Sequence, residues 1–192
     1  LAAVDLPPDE ASPDGEWHLV MELAEGGELF ERLLQHGAYT EKVASDLLKQ
    51  IASAVYHLHS CGVTHRDIKP ENIVLMSDDE AAPVKLIDFG IVKAEKRLTE
   101  TASGVIKGKF YYMSPEQASA KPIDHRSDVF SAGIVLYESL VAAPLYDDED
   151  DSGKLLRRGQ KADIAPPSTI RGGIAPPLGK RAMASMRNLI SP

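Results

Sequence analysis

The run at 65–72, reading HRDIKPEN, constrains this chain more than any other stretch. It sets Asp67, Lys69 and Asn72 at intervals of two and five residues, between a segment patterned as a helix and two short apolar runs patterned as strands. On the upstream side, Thr40 is a good helix N-cap and Glu41 lies in the first turn, where the helix dipole favours an acid. Val43, Leu47, Ile51 and Val55 recur every four residues, and Ala44, Leu48 and Leu58 widen the stripe. Gly62 closes a predicted helix of about five turns. On the downstream side, 73–76 and 84–87 read as strands, and the polar 77–83, ended by Pro83, as their hairpin loop. Asp88-Phe89-Gly90 follows the second strand directly. A carboxylate at a strand end, beside a glycine that permits an unusual turn, can reach a metal in a cleft.

The remaining pattern is simpler. Residues 1–16 are rich in Pro, Asp and Glu and read as a loop. The run at 17–23 (WHLVMEL) reads as a strand, broken by Gly26-Gly27. Residues 28–35 read as a short helix stopped by Gly37, with Leu29, Phe30, Leu33 and Leu34 on one face. Residues 91–112 have no clean period and read as a long loop. The stretch 129–141 (VFSAGIVLYESLV) is apolar nearly all round, which predicts a buried helix ended by Pro144. The acidic run 147–151 reads as a solvated loop leading into a helix, and 178–190 as a final helix. No internal repeat is present.

Composition narrows the function classes. A chain of 192 residues suits one domain or one large lobe. Its net charge of −8 argues against generic nucleic-acid binding and is compatible with a basic partner. One cysteine, Cys61, cannot build a disulfide framework, so a reducing, cytoplasmic setting is expected. Cys61 itself reads as a small buried hydrophobe. No stretch has the length of an uncharged membrane span, and the first residues lack the form of a signal peptide. The chain does not begin with Met and ends abruptly at Ser191-Pro192, which reads as a fragment.

Phosphoryl transfer requires little covalent chemistry from a protein. It requires a group that orients and accepts a hydroxyl proton, magnesium over the phosphates, and positive charge near the moving group. Magnesium prefers hard oxygen ligands. The ordered set HRDIKPEN then DFG supplies those residue types, and at this point the chain resembles the eukaryotic-type serine/threonine protein kinases from about residue 17 to 192. The resemblance implies an α+β protein-kinase-like fold, mainly a helical C-terminal lobe with a short β-hairpin and most of the N-terminal lobe absent, with 1–16 as a remnant of that lobe.

It further implies roles. Asp67 is the catalytic base, Lys69 neutralises charge on the transferred phosphate, and Asn72 and Asp88 hold magnesium. ATP and Mg2+ are the implied cofactors and a protein Ser/Thr hydroxyl the implied acceptor. Met21 resembles the gatekeeper, and Glu22-Leu23-Ala24 the adenine-binding hinge. Glu28 resembles the ribose-contacting acid, with a first-turn helix charge as its plainer reading. Val74 resembles the apolar floor under adenine and could equally be core. Glu71 joins the nucleotide-side candidates and, with Glu28 and the acidic run, hints at basic residues near the phosphoacceptor. His65 and Phe89 read as packing residues. Asp128 resembles the buried aspartate that ties down the catalytic loop, with helix capping as a compatible alternative. Arg66 resembles the arginine that receives an activation-loop phosphate, and Thr99 and Thr101 are the expected phosphosites. The first half resembles calcium/calmodulin-type kinases, whereas TETASGVIKGKFYYMSPEQA is similar to bacterial receptor-type kinases.

Three departures stand out. Gly108-Lys109 replaces the usual Gly-Thr, no GxGxxG or VAIK-type lysine precedes residue 17, and the arginine that usually pairs with the Pro-Glu acid, here Glu116, does not occur at its place before residue 192. The 192-residue piece alone is therefore expected to have negligible kinase activity. Two alternatives remain open: a truncated, non-catalytic kinase-like binding module, and a small-molecule phosphotransferase of related fold.

Overall fold

The computed structural model describes residues 22–79, 81–88, 111–146, 149, 151–162 and 164–174. Helix α1 spans Leu29–His36, one residue later than the pattern predicts. Leu29 and Leu33 are buried, while Leu34 is 71% exposed. At 100° per residue, positions 29 and 33 share the inner face; position 34 is rotated a further step outward.

Helix α2 spans Glu41–Ser60, and the Thr40 hydroxyl accepts from the Val43 N–H at 3.3 Å, as its N-cap position demands. Ala44, Leu47, Ile51 and Val55 are buried along the predicted stripe. The helix ends at Cys61, whose N–H reaches back to His57 O and Leu58 O, and Gly62 takes a left-handed φ of 74°. This turn carries the Cys61 side chain outward, so the thiol is exposed rather than buried.

Strands β1 (Ile73–Leu75) and β2 (Val84–Leu86) pair antiparallel, Ile73 opposite Leu86 and Leu75 opposite Val84. Each is one residue shorter than predicted. The Gln50 side chain of α2 accepts from Val84 N–H at 3.0 Å and donates to Ala82 O at 3.4 Å, which docks the hairpin on α2.

Helix α3 (Pro115–Ala118) is one turn, started by a capping box in which Ser114 and Gln117 satisfy each other's backbone N–H. Helix α4 spans Arg126–Val141 and is the buried axis of the fold, with Phe130, Ile134, Val135, Leu136, Tyr137 and Leu140 in the core against α2. It stops before Pro144: Ala142 adopts a left-handed conformation and its N–H returns to Glu138 O at 2.7 Å. Helix α5 (Ser152–Lys161) starts from the acidic run, Asp151 capping Lys154 N–H at 2.8 Å, as a solvated lead-in requires. Helix α6 (Pro167–Ile170) is followed by Arg171, whose guanidinium donates to Tyr39 O and Leu140 O and fastens this segment to the core.

The mixed α+β class and helical dominance stand. Residues 17–21 of the first expected strand, 91–110 of the expected long loop and the helix at 178–190 lie outside the described residues, and Glu22 and Leu23 are not in a strand. Among the described residues, no helix is long and apolar enough to cross a membrane. Leu29→Ala is expected to lower unfolding free energy by about 2–5 kcal/mol, and Leu34→Ala by about 0.5 kcal/mol or less. Denaturant melts of the two variants check this contrast.

Candidate active site

Residues 63–72 connect the end of α2 to β1, passing through a single 3-10 turn at Pro70–Asn72. This loop takes its shape from a side chain of α4. Asp128 is buried; its Oδ2 accepts from His65 N–H at 2.8 Å and its Oδ1 from Arg66 N–H at 2.7 Å. His59 Nε2 on α2 supplies a third donor to Oδ2 at 2.8 Å. Asp128 is the third residue of α4 and His125 holds the N-cap position, so the capping role does not apply. Arg66 is held at a φ of 67°, in the left-handed region that β-carbon-bearing residues avoid.

His65 is wholly buried. Its Nε2 donates to Ile87 O at 3.1 Å, which leaves Nδ1 as acceptor facing Asp67 N–H at 3.4 Å. Burial pushes this imidazole below its ordinary pKa, against the opposing charge of Asp128. A neutral ring therefore ties the backbone of the 63–72 loop to the end of β2.

Asp67 and Asn72 are brought into direct contact. Asn72 Nδ2 donates to the Asp67 carbonyl at 2.7 Å and to its carboxylate at 3.3 Å. The Asn72 carbonyl in turn accepts from Ile87 N–H at 3.0 Å, next to Asp88, an exposed residue at a φ of 57°. Lys69 lies 3.7 Å from Glu71, and both are partly exposed.

Ahead of α1, Gly26 N–H donates to Leu75 O and Leu75 N–H to Gly27 O, and Glu28 bridges Val74 in antiparallel fashion. A β-carbon on Gly26 would lie 2.1 Å from Ser77 O, so only glycine permits this approach. Glu28 and the half-buried Val74 are thus neighbours. Glu28 occupies the N-cap position of α1 without a side-chain cap bond, so it is not a first-turn helix charge. Ala24 is half-buried, and Glu22 is exposed with its carboxylate paired to Lys85 on β2. Met21, Phe89, Thr99, Thr101 and the Gly108-Lys109 pair lie outside the described residues.

Among the described residues, no group of three or more His, Cys, Asp or Glu could hold a metal. With its Nδ2 committed to Asp67, Asn72 has its amide oxygen left to ligate a cation, and Asp88 is the nearby residue in sequence that could add a carboxylate. Two hard oxygen ligands suit magnesium, which keeps waters and substrate phosphates for the rest of its shell.

Sequence reasoning missed four residues that shape the site: His59, Tyr112, Gln117 and Glu138. Glu138 is a carboxylate inside the apolar run of α4 and accepts from the buried Tyr112 hydroxyl. Burial pushes Glu138 up to about 7, the charge of Glu71 adds to this, and the Tyr112 bond opposes it. Burial and Glu138 push the Tyr112 phenol far up. The signal available was an ionisable residue at a core position of a buried helix. Glu116, expected to lack its partner, accepts instead from the Ser127 hydroxyl of α4.

A family model described as protein kinase domain matches residues 9–186. The chain belongs to this family. Its protein kinase sequence is 42% identical over 136 residues to calcium/calmodulin-dependent protein kinase type 1 of Macrobrachium nipponense, covering 70% of this chain and 38% of that protein. It is 40% identical over 155 residues to calcium-dependent protein kinase 21 of Oryza sativa subsp. japonica, covering 78% of this chain and 26% of that protein. A similar match, 41% over 138 residues, is to the type 1 enzyme of Caenorhabditis elegans. The chain thus spans well under half the length of these curated relatives.

Asp128→Ala leaves two buried N–H groups without an acceptor and is expected to cost about 3 kcal/mol or more of stability, read by denaturant melts. Glu138 gives a pH dependence. Its folded pKa is raised from 4.5 to about 7, so its stabilising contribution is full below 4.5 and is lost as pH rises to 7. Glu138→Gln is expected to flatten the fall in thermal midpoint between pH 5 and pH 8.

Proposed function

We propose that the protein transfers the γ-phosphoryl group of ATP to serine or threonine hydroxyls of protein substrates. The observation that supports this reading is the contact between Asn72 and Asp67: Nδ2 bonds the Asp67 carbonyl and carboxylate, which leaves the amide oxygen able to face a cation beside the proposed base. Asp67 orients the acceptor hydroxyl and takes its proton as the oxygen–phosphorus bond forms and the bond to the β-phosphate oxygen breaks. Lys69 offsets negative charge on the moving phosphoryl group. Asn72 and Asp88 would hold Mg2+, which would supply positive charge against the phosphates. Glu28 and Val74 flank the nucleoside, with Met21, Glu22 and Ala24 at the adenine edge. Lys69 rather than another residue favours serine and threonine over tyrosine. Thr99 and Thr101 are proposed as phosphosites, their phosphates received by Arg66.

Basic residues near the acceptor are favoured by charge. Glu71 carries a negative charge that is felt at Glu138 and is partly met by Lys69 at 3.7 Å. With Glu28 and the acidic run it favours a basic side chain beside the acceptor.

The test is phosphate transfer from labelled ATP to a basic serine peptide by the full-length gene product. Asp67→Asn is expected to lower kcat by roughly 10²–10⁴-fold, the usual contribution of a positioned base. Retention of more than a tenth of wild-type kcat would remove Asp67 from this role.

A further inference from the structure

The peptide group joining Arg66 to Asp67 is pinned at both ends. Its N–H belongs to Asp67 and faces His65 Nδ1. Its carbonyl belongs to Arg66 and accepts from Gln117 Nε2 at 2.9 Å. Gln117 comes from α3, in a different part of the chain. The orientation of its amide is fixed by its partners: Oε1 accepts from Ser114 N–H at 3.0 Å, and Arg66 O can only accept, so the NH2 end must face Arg66.

These bonds close a ring. Asp128 holds Arg66 N–H, Gln117 holds Arg66 O, Gln117 and Ser114 cap each other, and Ser114 Oγ meets Ser127 Oγ at 3.0 Å, next to Asp128. The ring encloses a residue whose left-handed backbone costs of order 1–3 kcal/mol to hold. Gln117 also lines one small cleft together with Asp67, Lys69 and Tyr112. The capping box alone would explain a Gln at this position, but capping needs only its oxygen. The donor half of the amide is spent on the residue before the proposed base.

We propose that Gln117 is a positioning residue for phosphoryl transfer: its amide nitrogen fixes the Arg66–Asp67 peptide plane, and with it the direction of the Asp67 carboxylate. It also couples the substrate-side segment at 111–118 to the catalytic loop, so a shift of α3 is felt at Asp67. The inference deepens the kinase reading and rests on it for its catalytic part.

Gln117→Glu separates the two halves of the amide. Glu serves as well as Gln in a capping box, so α3 stays capped, while a carboxylate oxygen replaces the donor facing Arg66 O. In full-length protein, kcat is expected to fall roughly tenfold, equivalent to about 1.4 kcal/mol and the size of one hydrogen bond. The KM values for ATP and peptide should stay unchanged. Amide exchange across 63–68 should accelerate. A fall in kcat with both KM values unchanged is an effect that general loss of structure would not produce. If Gln117→Glu melts early, Gln117→Met, which removes both polar ends, should show the same kcat loss with unchanged KM values. Wild-type kcat and unchanged exchange in a folded variant would overturn the proposal. Wild type inactive in the same assay would overturn the kinase reading instead, and exchange across 63–68 would then decide whether Gln117 holds the loop.

Discussion

A single buried carboxylate organises the centre of this molecule. Asp128 sits on the core helix α4 with almost no exposure, and an unpaired charge there would be prohibitively costly. It is tolerable because three donors converge on it: two consecutive backbone N–H groups of the catalytic loop and the imidazole of His59. The bonds run both ways in consequence. The loop neutralises the helix, and the helix forces Arg66 into a conformation it would not choose. His125 stacks edge-on against His59 at 5.6 Å and completes the aromatic side of this cluster.

From that anchor the site is built outward by backbone hydrogen bonds. His65 reaches Ile87 at the end of β2, Asn72 receives Ile87 N–H, and Asn72 grips Asp67. Helix, loop and hairpin thus meet at one residue, His65. The polar side chains buried along α4 form a second set of contacts, with the 111–118 segment: Ser127 contacts Ser114 and Glu116, Ser131 donates to Tyr112 O, and Glu138 takes the Tyr112 hydroxyl. An apolar helix with a polar seam can serve as core and as scaffold for two loops at once.

Much of this was legible before any coordinates. The α2 stripe and its Thr40 cap, the two strands and the buried α4 follow from period and capping chemistry. Asp128 was legible through family resemblance. The errors were local and have local causes. Leu34 and Cys61 are apolar residues one step past a buried face or helix end, and hydrophobicity alone cannot say on which side of that step a residue falls. The end of α4 was set by Ala142 turning left-handed before the proline could act.

By itself the sequence determined the elements and the inventory of chemical groups, because periodicity and capping are properties of neighbours along the chain. The tertiary structure alone decided which groups share a hydrogen bond across long separations. Gln117 reads as a helix cap until Arg66 O is seen beside its nitrogen, and Glu138 as an oddity until Tyr112 is seen beside it. The physical reason is that a buried polar atom must find a partner, and the partner is whichever backbone or side-chain group the packing of α2, α3 and α4 brings within 3 Å or so, whatever its distance in sequence.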